Sequence, residues 1–127
     1  MANQNEVMRV TGSCLCGAVR FSVHGPMREV VYCHCAMCRR ASSHYVAYTA
    51  CAPDALEIAD RRKVKWYKSS PSARRGFCKD CGSQLFWEPA HGRHLSISAG
   101  SLDQPTGLRS GKHTHTEYAP DYEQAER

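Results

Sequence analysis

The chain has 127 residues and a formal net charge of +5, and 42% of its residues are hydrophobic. This length suits one domain, over residues 1–127, and the hydrophobic share is too high for a disordered chain. The first residues are polar, and no stretch approaches the roughly 20 apolar residues of a membrane span. We therefore expect a cytoplasmic protein without a membrane segment. The positive charge alone does not choose between an anionic substrate, a nucleic acid and simple solubility.

The predicted elements are mostly short strands. Alternation of apolar and polar residues, as in Val19, Phe21 and Val23 against Arg20 and Ser22, is typical of a half-buried strand. After a lead-in over residues 1–12, the pattern predicts strands at 18–23, 29–32, 45–50, 56–58, 64–68, 84–88 and 94–98. One or two helical turns are expected at 36–43, a loop at 69–72, and an irregular arm or a late edge strand from residue 107. Frequent turns without a long helical period predict a mainly β, zinc-ribbon-like fold with short helical turns.

Seven of the eight cysteines are bunched along the chain as C-x-C, C-x-C-x-x-C and C-x-x-C. A disulfide framework is typical of an exported chain, and no export signal is visible. Bunched thiols suit a metal ion, because its ligands must converge on one point about 2.3 Å away. The predicted metal ligands are Cys14, Cys16, Cys33, Cys35, Cys38, Cys78 and Cys81.

Two of the cysteine pairs are followed by the same pattern. Gly17 follows the first pair and Gly82 the last, and each glycine is followed four residues later by Phe21 or Phe86. A backbone that curls around a metal ion needs a positive φ, which glycine adopts most easily. The echo therefore predicts that these two pairs form paired knuckles of one site.

The seven predicted ligands divide into four and three. Cys14, Cys16, Cys78 and Cys81 form a closed four-cysteine set, which is the arrangement of structural zinc. Cys33, Cys35 and Cys38 form a three-cysteine set, which leaves a coordination position for a substrate and so suits catalytic zinc. His34 and His44 remain alternative fourth ligands of the second set, although the neighbours of His34 should turn its side chain away. Cys51 is expected to be a packing residue.

Several segments resemble the glutathione-dependent formaldehyde-activating enzyme family, whose members include centromere protein V. The similar segments are residues 12–19, 33–40, 77–83, 99–103 and 112–113. The resemblance implies a tent-like β fold with a structural zinc on the four-cysteine set and a catalytic zinc on the three-cysteine set. It also implies condensation of formaldehyde with glutathione to S-hydroxymethylglutathione, formally a carbon–sulfur lyase reaction.

Residues beside the second cysteine set are candidates for substrate binding. Glutathione thiolate or an aldehyde oxygen would occupy the remaining zinc position, and Arg39 and Arg40 would bind glutathione carboxylates. The alternative is that both arginines are solvated surface charges. Trp66, Tyr67 and Trp87 either line a cleft or, as is more usual for such residues, belong to the core.

A non-enzymatic role is the alternative to an enzyme. The run Arg61-Arg62-Lys63-Val64-Lys65-Trp66 keeps open a module that binds protein or nucleic acid. Because its basic residues alternate with apolar ones, a solvated strand face explains the run equally well, and we do not expect nucleic-acid binding. A third possibility is a redox or metal-buffering role. The expected partner is a small thiol or aldehyde.

Overall fold

A computed structural model describes residues 9–123 and shows a mainly β fold, as predicted. One α-helix, α1, spans Ala36–Ser42, and short 3-10 turns lie at Pro53–Ala55, Arg61–Lys63, Ala99–Ser101 and Thr116–Tyr118. The strands within these residues are β1 (Arg9–Ser13), β2 (Arg20–His24), β3 (Val30–Cys33), β4 (Val46–Cys51), β5 (Leu56–Ile58), β6 (Val64–Ser70), β7 (Ala73–Cys78), β8 (Gln84–Pro89), β9 (Leu95–Ser98) and β10 (Ser110–Thr114). No helix in this part of the chain has the length and apolarity to cross a membrane.

The strands form two sheets. A three-stranded sheet has the order β1-β2-β5, and a seven-stranded sheet has the order β10-β3-β4-β9-β8-β7-β6. All neighbours are antiparallel except β10, which runs parallel to β3. The hydrophobic core includes residues of both sheets, and the Phe21 and Phe86 rings meet edge to face with centroids 5.3 Å apart. The fully buried Val19 and Ile97 belong to the same core. Burial of these apolar faces is the main force that holds the two sheets together.

Most predicted elements are confirmed, with three exceptions. The loop expected at 69–72 is shorter, because residues 69 and 70 extend β6. Residues 9–12 were expected to be a lead-in but belong to β1, where Val10 is buried in the core; the rest of that lead-in, residues 1–8, lies outside the described residues. Residues 73–77 were not predicted to form a strand, yet β7 pairs with both β6 and β8. The arm after residue 107 contains a late edge strand, β10. Tertiary pairing thus outweighs a polar local sequence in β7.

The second cysteine set lies where β3 passes into α1. Cys33 ends β3, and Cys35 is the residue that caps the N-terminus of α1. Strand β10 runs along β3 and places Thr114 opposite Cys33, and the backbone N–H of His34 donates to the Thr114 carbonyl oxygen at 3.0 Å. The start of the short cysteine loop is therefore fixed to β10 by backbone pairing.

Candidate metal centres

The first cysteine group joins two distant parts of the chain. Cys14 and Cys16 precede β2, Cys78 ends β7, and Cys81 lies in the turn to β8. The four Sγ atoms all lie within 4.8 Å of one another. The Sγ atom of Cys16 is 3.6 Å from that of Cys14 and 3.8 Å from that of Cys78. A cation at this point would link the three-stranded sheet to the β7–β8 turn.

The backbone of both knuckles curls as the echo predicted. The φ angle is +82° at Gly17 and +79° at Gly82, in the region that side chains other than glycine rarely adopt. The N–H of Gly17 donates to the Cys14 carbonyl oxygen at 3.2 Å, and the N–H of Gly82 donates to that of Cys78 at 2.8 Å. Backbone amides also point at sulfur, since the Cys81 N–H lies 3.4 Å from the Cys78 Sγ atom. Such donors stabilise a thiolate.

The second cysteine group consists of Cys33, Cys35 and Cys38, whose Sγ atoms lie within 4.8 Å of one another. The Sγ atoms of Cys33 and Cys38 are 3.2 Å apart. The Cys35 Sγ atom accepts a hydrogen bond from the Cys38 backbone N–H at 3.3 Å, which turns the sulfur toward the first turn of α1. Within residues 9–123, no further histidine, cysteine or carboxylate atom comes equally close to all three sulfurs.

The pKa values of these thiols are shifted in opposite directions within each group. The hydrogen bond from Cys38 lowers the pKa of Cys33 to about 5, and the same interaction together with burial raises the pKa of Cys38. In the first group, hydrogen bonds from the hydroxyl and backbone of Ser83 lower the pKa of Cys81 to about 5. The backbone of Ala18 acts to lower the pKa of Cys16, but burial and the neighbouring thiols outweigh it and raise that pKa to about 12. Each group therefore offers a thiolate to a cation at neutral pH.

Both groups fit zinc by the chemistry of their donors. All donors are sulfur, the softest ligand that proteins offer, and Zn²⁺ prefers a compact set of such ligands. The eight cysteines are free thiols in the described chain, and the Cys33 and Cys38 sulfurs, at 3.2 Å, are well beyond the 2.05 Å of a disulfide. The two groups can thus hold zinc, and their separate ligand roles remain predictions.

The alternative ligands of the second group lie elsewhere. His34 is buried, and its Nε2 atom is 2.7 Å from Nδ1 of His113. His44 faces the C-terminal arm, where its Nδ1 atom is 3.2 Å from the Tyr122 hydroxyl. Cys51 packs in the hydrophobic core, as predicted, and burial raises its pKa to about 11. Neither histidine therefore joins the three sulfurs of the second group.

The two predicted carboxylate-binding arginines differ in position. Arg40 is exposed and lines a cleft between α1 and the sheet, whereas Arg39 is half-buried and is not among the residues that line it. The aromatic residues also differ. Trp66 packs against the core, but Tyr67 is 64% exposed and lines the same cleft as Arg40, so the core interpretation is wrong for Tyr67. Trp87 is half-buried and lies beside His94.

Sequence reasoning missed one residue of this region, Arg75. It lies on β7, is only 5% exposed, and its Nη2 atom is 3.9 Å from the Sγ atom of Cys38. Its Nη1 atom donates to the Tyr48 hydroxyl at 3.3 Å. Burial acts to lower the pKa of Arg75, but Tyr48 and Cys38 outweigh it and leave the pKa raised, so the side chain stays cationic. The only signal in the sequence would have been the assignment of residues 73–78 to a strand.

Three comparisons relate the chain to known proteins. The family model described as glutathione-dependent formaldehyde-activating enzyme matches residues 9–118. An uncharacterized lyase of Schizosaccharomyces pombe is 31% identical over 84 residues, which are 65% of this chain and 60% of that protein. The chain thus aligns with about three fifths of the length of this relative. A crystal structure of a Rhodobacter sphaeroides protein has a TM-score of 0.67 at 20% identity and covers 82% of this chain and 99% of its own, which supports the fold alone.

Proposed function

The chain belongs to the glutathione-dependent formaldehyde-activating enzyme family, and on this premise we propose that it adds a thiol to an aldehyde at its second cysteine group. The proposed reaction is formation of S-hydroxymethylglutathione from glutathione and formaldehyde, or a related thiol–carbonyl reaction. The observation that carries the proposal is the contrast between the two groups. Four sulfurs converge in the first, but only Cys33, Cys35 and Cys38 converge in the second. A three-ligand site is the arrangement of catalytic zinc.

The proposed reaction is an addition in which neither reactant loses an atom. A carbon–sulfur bond forms between the thiol sulfur and the carbonyl carbon, the C=O π bond breaks, and the thiol proton passes to the carbonyl oxygen. The reverse reaction breaks the carbon–sulfur bond, which is the lyase direction. When bound, zinc acts as a Lewis acid, which lowers the pKa of a thiol and polarises a carbonyl.

The residues of the chain have separate proposed tasks. The first group, with its two knuckles, serves as the structural centre, and the second group holds the catalytic ion. Arg39 and Arg40 follow Cys38 directly on α1 and bind carboxylates of glutathione, for which the planar guanidinium group is well shaped. Holding the thiol and the aldehyde beside each other removes much of the entropic barrier to their addition.

Ion pairs in the basic run favour an enzyme over a nucleic-acid module. The Nε atom of Arg62 is 3.0 Å from Oδ1 of Asp60, and the Nζ atom of Lys63 is 3.4 Å from Oδ2 of Asp80. Two of the cations in the run 61–66 therefore already have carboxylate partners. A phosphate-binding surface needs cations that are free to replace the counterions of the nucleic acid.

Substitution of one cysteine tests the proposal. Cys35→Ser should reduce zinc content from about two ions to about one per chain and abolish catalysis, because only two thiolates remain in the second group. Zinc is measured by mass spectrometry, and turnover by the rate of formaldehyde–glutathione exchange in NMR above the uncatalysed rate. Cys51→Ala, which removes a thiol outside both groups, is the matched control. If Cys35→Ser keeps both its zinc and its turnover, the proposal is wrong.

A further inference from the structure

A cleft of about 400 Å³ lies between α1 and one face of the β6–β7 pair. Tyr67 lies directly opposite Arg75 in the antiparallel register, so both side chains project from the same face of the sheet. The residues that line the cleft are Met37, Arg40 and Ala41 of α1, Tyr67 and Ser69 of β6, Arg75 and Phe77 of β7, and Gln84 of β8. Its volume is within the range of small-molecule sites.

The walls of the cleft are largely apolar and partly open to solvent. Met37 and Tyr67 are among the few large hydrophobic side chains that the described chain exposes, at 47% and 64%. A single exposed apolar side chain is ordinary on a protein surface. Two such side chains line this cleft together with Phe77 of β7, and they favour a ligand that has an apolar part.

The charges of the cleft are all positive. Arg40 and Arg75 are its only charged lining residues, and no carboxylate of residues 9–123 forms an ion pair with either. Arg75 is only 5% exposed, and its Nε atom is buried without a hydrogen-bond partner in the described chain. A buried guanidinium group costs free energy unless an anion and acceptors surround it. Because Arg75 shares its charge with the second cysteine group, the anion preference of the cleft comes from the Arg40 charge, which forms no ion pair within residues 9–123, and from the partnerless Nε–H of Arg75. The cleft therefore favours an anionic ligand.

Arg75 also connects the cleft to the second cysteine group. Its Nη2 atom lies 3.9 Å from the Cys38 Sγ atom, and Met37, which lines the cleft, directly precedes Cys38 on α1. A ligand held by Arg75 would therefore sit beside the three sulfurs. Such a ligand would be part of the molecule on which that group acts.

We propose that this cleft is a substrate subsite for organic carboxylates that carry an alkyl or aryl group. The carboxylate pairs with Arg40 and Arg75, and the apolar group packs against Met37, Tyr67 and Phe77. The inference rests on the proposed function, because it assigns this subsite to the thiol or aldehyde that reacts at the second cysteine group. It extends the substrate class of the proposed reaction to thiols or aldehydes that carry both a carboxylate and an alkyl or aryl group.

A binding experiment with a simple probe tests the subsite. 3-Phenylpropionate combines a carboxylate with an aromatic ring; 3-phenylpropan-1-ol lacks the charge, and propionate lacks the ring. Calorimetry or ligand-observed NMR on the zinc-loaded protein should show the first binding about tenfold more tightly than either of the others, since an Arg–carboxylate pair and ring burial both contribute. Equal binding of the alcohol and the carboxylate would overturn the proposal.

Variants test whether the probe binds in the cleft or at another place on the protein. Arg40→Gln and Tyr67→Ser change exposed side chains and should each weaken 3-phenylpropionate binding about fivefold or more. Lys68→Gln removes a charge from the residue next to Tyr67, on the opposite face of β6, and should leave binding unchanged. Binding that survives Arg40→Gln and Tyr67→Ser but is lost in Cys35→Ser would place the probe on the metal and overturn the subsite.

Failure of the subsite and failure of the proposed reaction give different results. If the protein binds 3-phenylpropionate in the cleft but does not accelerate the addition of glutathione to formaldehyde, the subsite stands and the proposed reaction fails. If it accelerates that addition but Arg40→Gln and Tyr67→Ser bind the probe as the unmodified chain does, the reaction stands and the subsite fails.

Discussion

The guanidinium group of Arg75 and the sulfur of Cys38 lie 3.9 Å apart, measured from Nη2 to Sγ, and both side chains are buried. Zn²⁺ bound by three thiolates would carry a net charge of −1, which the charge of Arg75 would offset. The first cysteine group has an exposed member, Cys16, and so depends less on a buried counter-charge. Charge compensation matters more where water is excluded. We therefore expect Arg75 to stabilise the anionic form of the second group.

Removal of the Arg75 charge should weaken zinc binding at the second group only. Arg75→Met is expected to lower that affinity about tenfold or more, because it leaves a buried anionic centre without its cation. Arg75→Lys, which keeps the charge but not the planar group, should recover part of the loss. Stepwise competition with a chromogenic chelator measures the two sites separately.

Arg74→Met is the matched control for this prediction. Arg74 is adjacent on β7 but lies on the other face, where it pairs with Glu88 at 2.7 Å and stacks over the Trp66 ring. Its loss should leave both zinc affinities unchanged. Equal zinc affinities in Arg75→Met and Arg74→Met would contradict the role of Arg75.

Loss of a ligand from the first group should destabilise the whole fold. Cys14 and Cys78 belong to the hydrophobic core, and their group ties β2 to the β7–β8 turn across 62 residues from Cys16 to Cys78. Zinc binding energy at such a point counts as folding energy, so Cys78→Ser should cost on the order of several kcal/mol. Urea unfolding gives the free energy. Cys35→Ser should cost clearly less; a larger loss in Cys35→Ser would reverse the predicted structural and catalytic roles.

Zinc uptake by the second group should strengthen as the pH rises. The hydrogen bond with Cys33 and burial raise the pKa of Cys38, so its thiol is protonated at neutral pH, whereas the pKa of Cys33 is lowered to about 5. Zinc must displace the Cys38 proton, so affinity should rise about tenfold per pH unit between about 6 and 8 for each proton released. Calorimetry in buffers of different ionisation enthalpy counts those protons. An affinity that does not change with pH would contradict the protonated state of Cys38.

The cysteine grouping could be predicted from sequence because each motif is short and local, and because the shared pattern after Cys16 and Cys81 indicated which two motifs meet. The spacing of Cys33, Cys35 and Cys38 confines three sulfurs to one loop, whatever the rest of the chain does. The positive φ of Gly17 and Gly82 was equally local, since it follows from the tight curl after each cysteine pair. Strand alternation was sufficient for most of the sheet.

The surroundings of the second group could not be predicted, because they depend on distant contacts. Arg75 and Cys38 are 37 residues apart, and Arg75 stands in a run of arginine and glycine that resembles a surface loop. His34 and His113 are 79 residues apart and meet only because β10 runs parallel to β3. Sequence spacing carries no information on such pairs, which the order of strands in the sheet determines.

The contact between His34 and His113 leads to a prediction about the cysteine loop. The two rings are joined by a 2.7 Å Nε2–Nδ1 hydrogen bond, and the His113 ring stacks on Tyr32 with centroids 4.7 Å apart. His113→Ala should therefore cost about 1–3 kcal/mol in urea unfolding, because it removes a partner of a buried polar group. His34 lies between Cys33 and Cys35, so zinc should also leave the second group faster. His113→Asn, which retains a hydrogen-bonding side chain, should restore part of both losses.

Lys112→Ala changes the exposed neighbour on β10 and serves as the control. If His113→Ala and Lys112→Ala unfold at the same urea concentration and retain zinc equally, the histidine pair does not hold the loop.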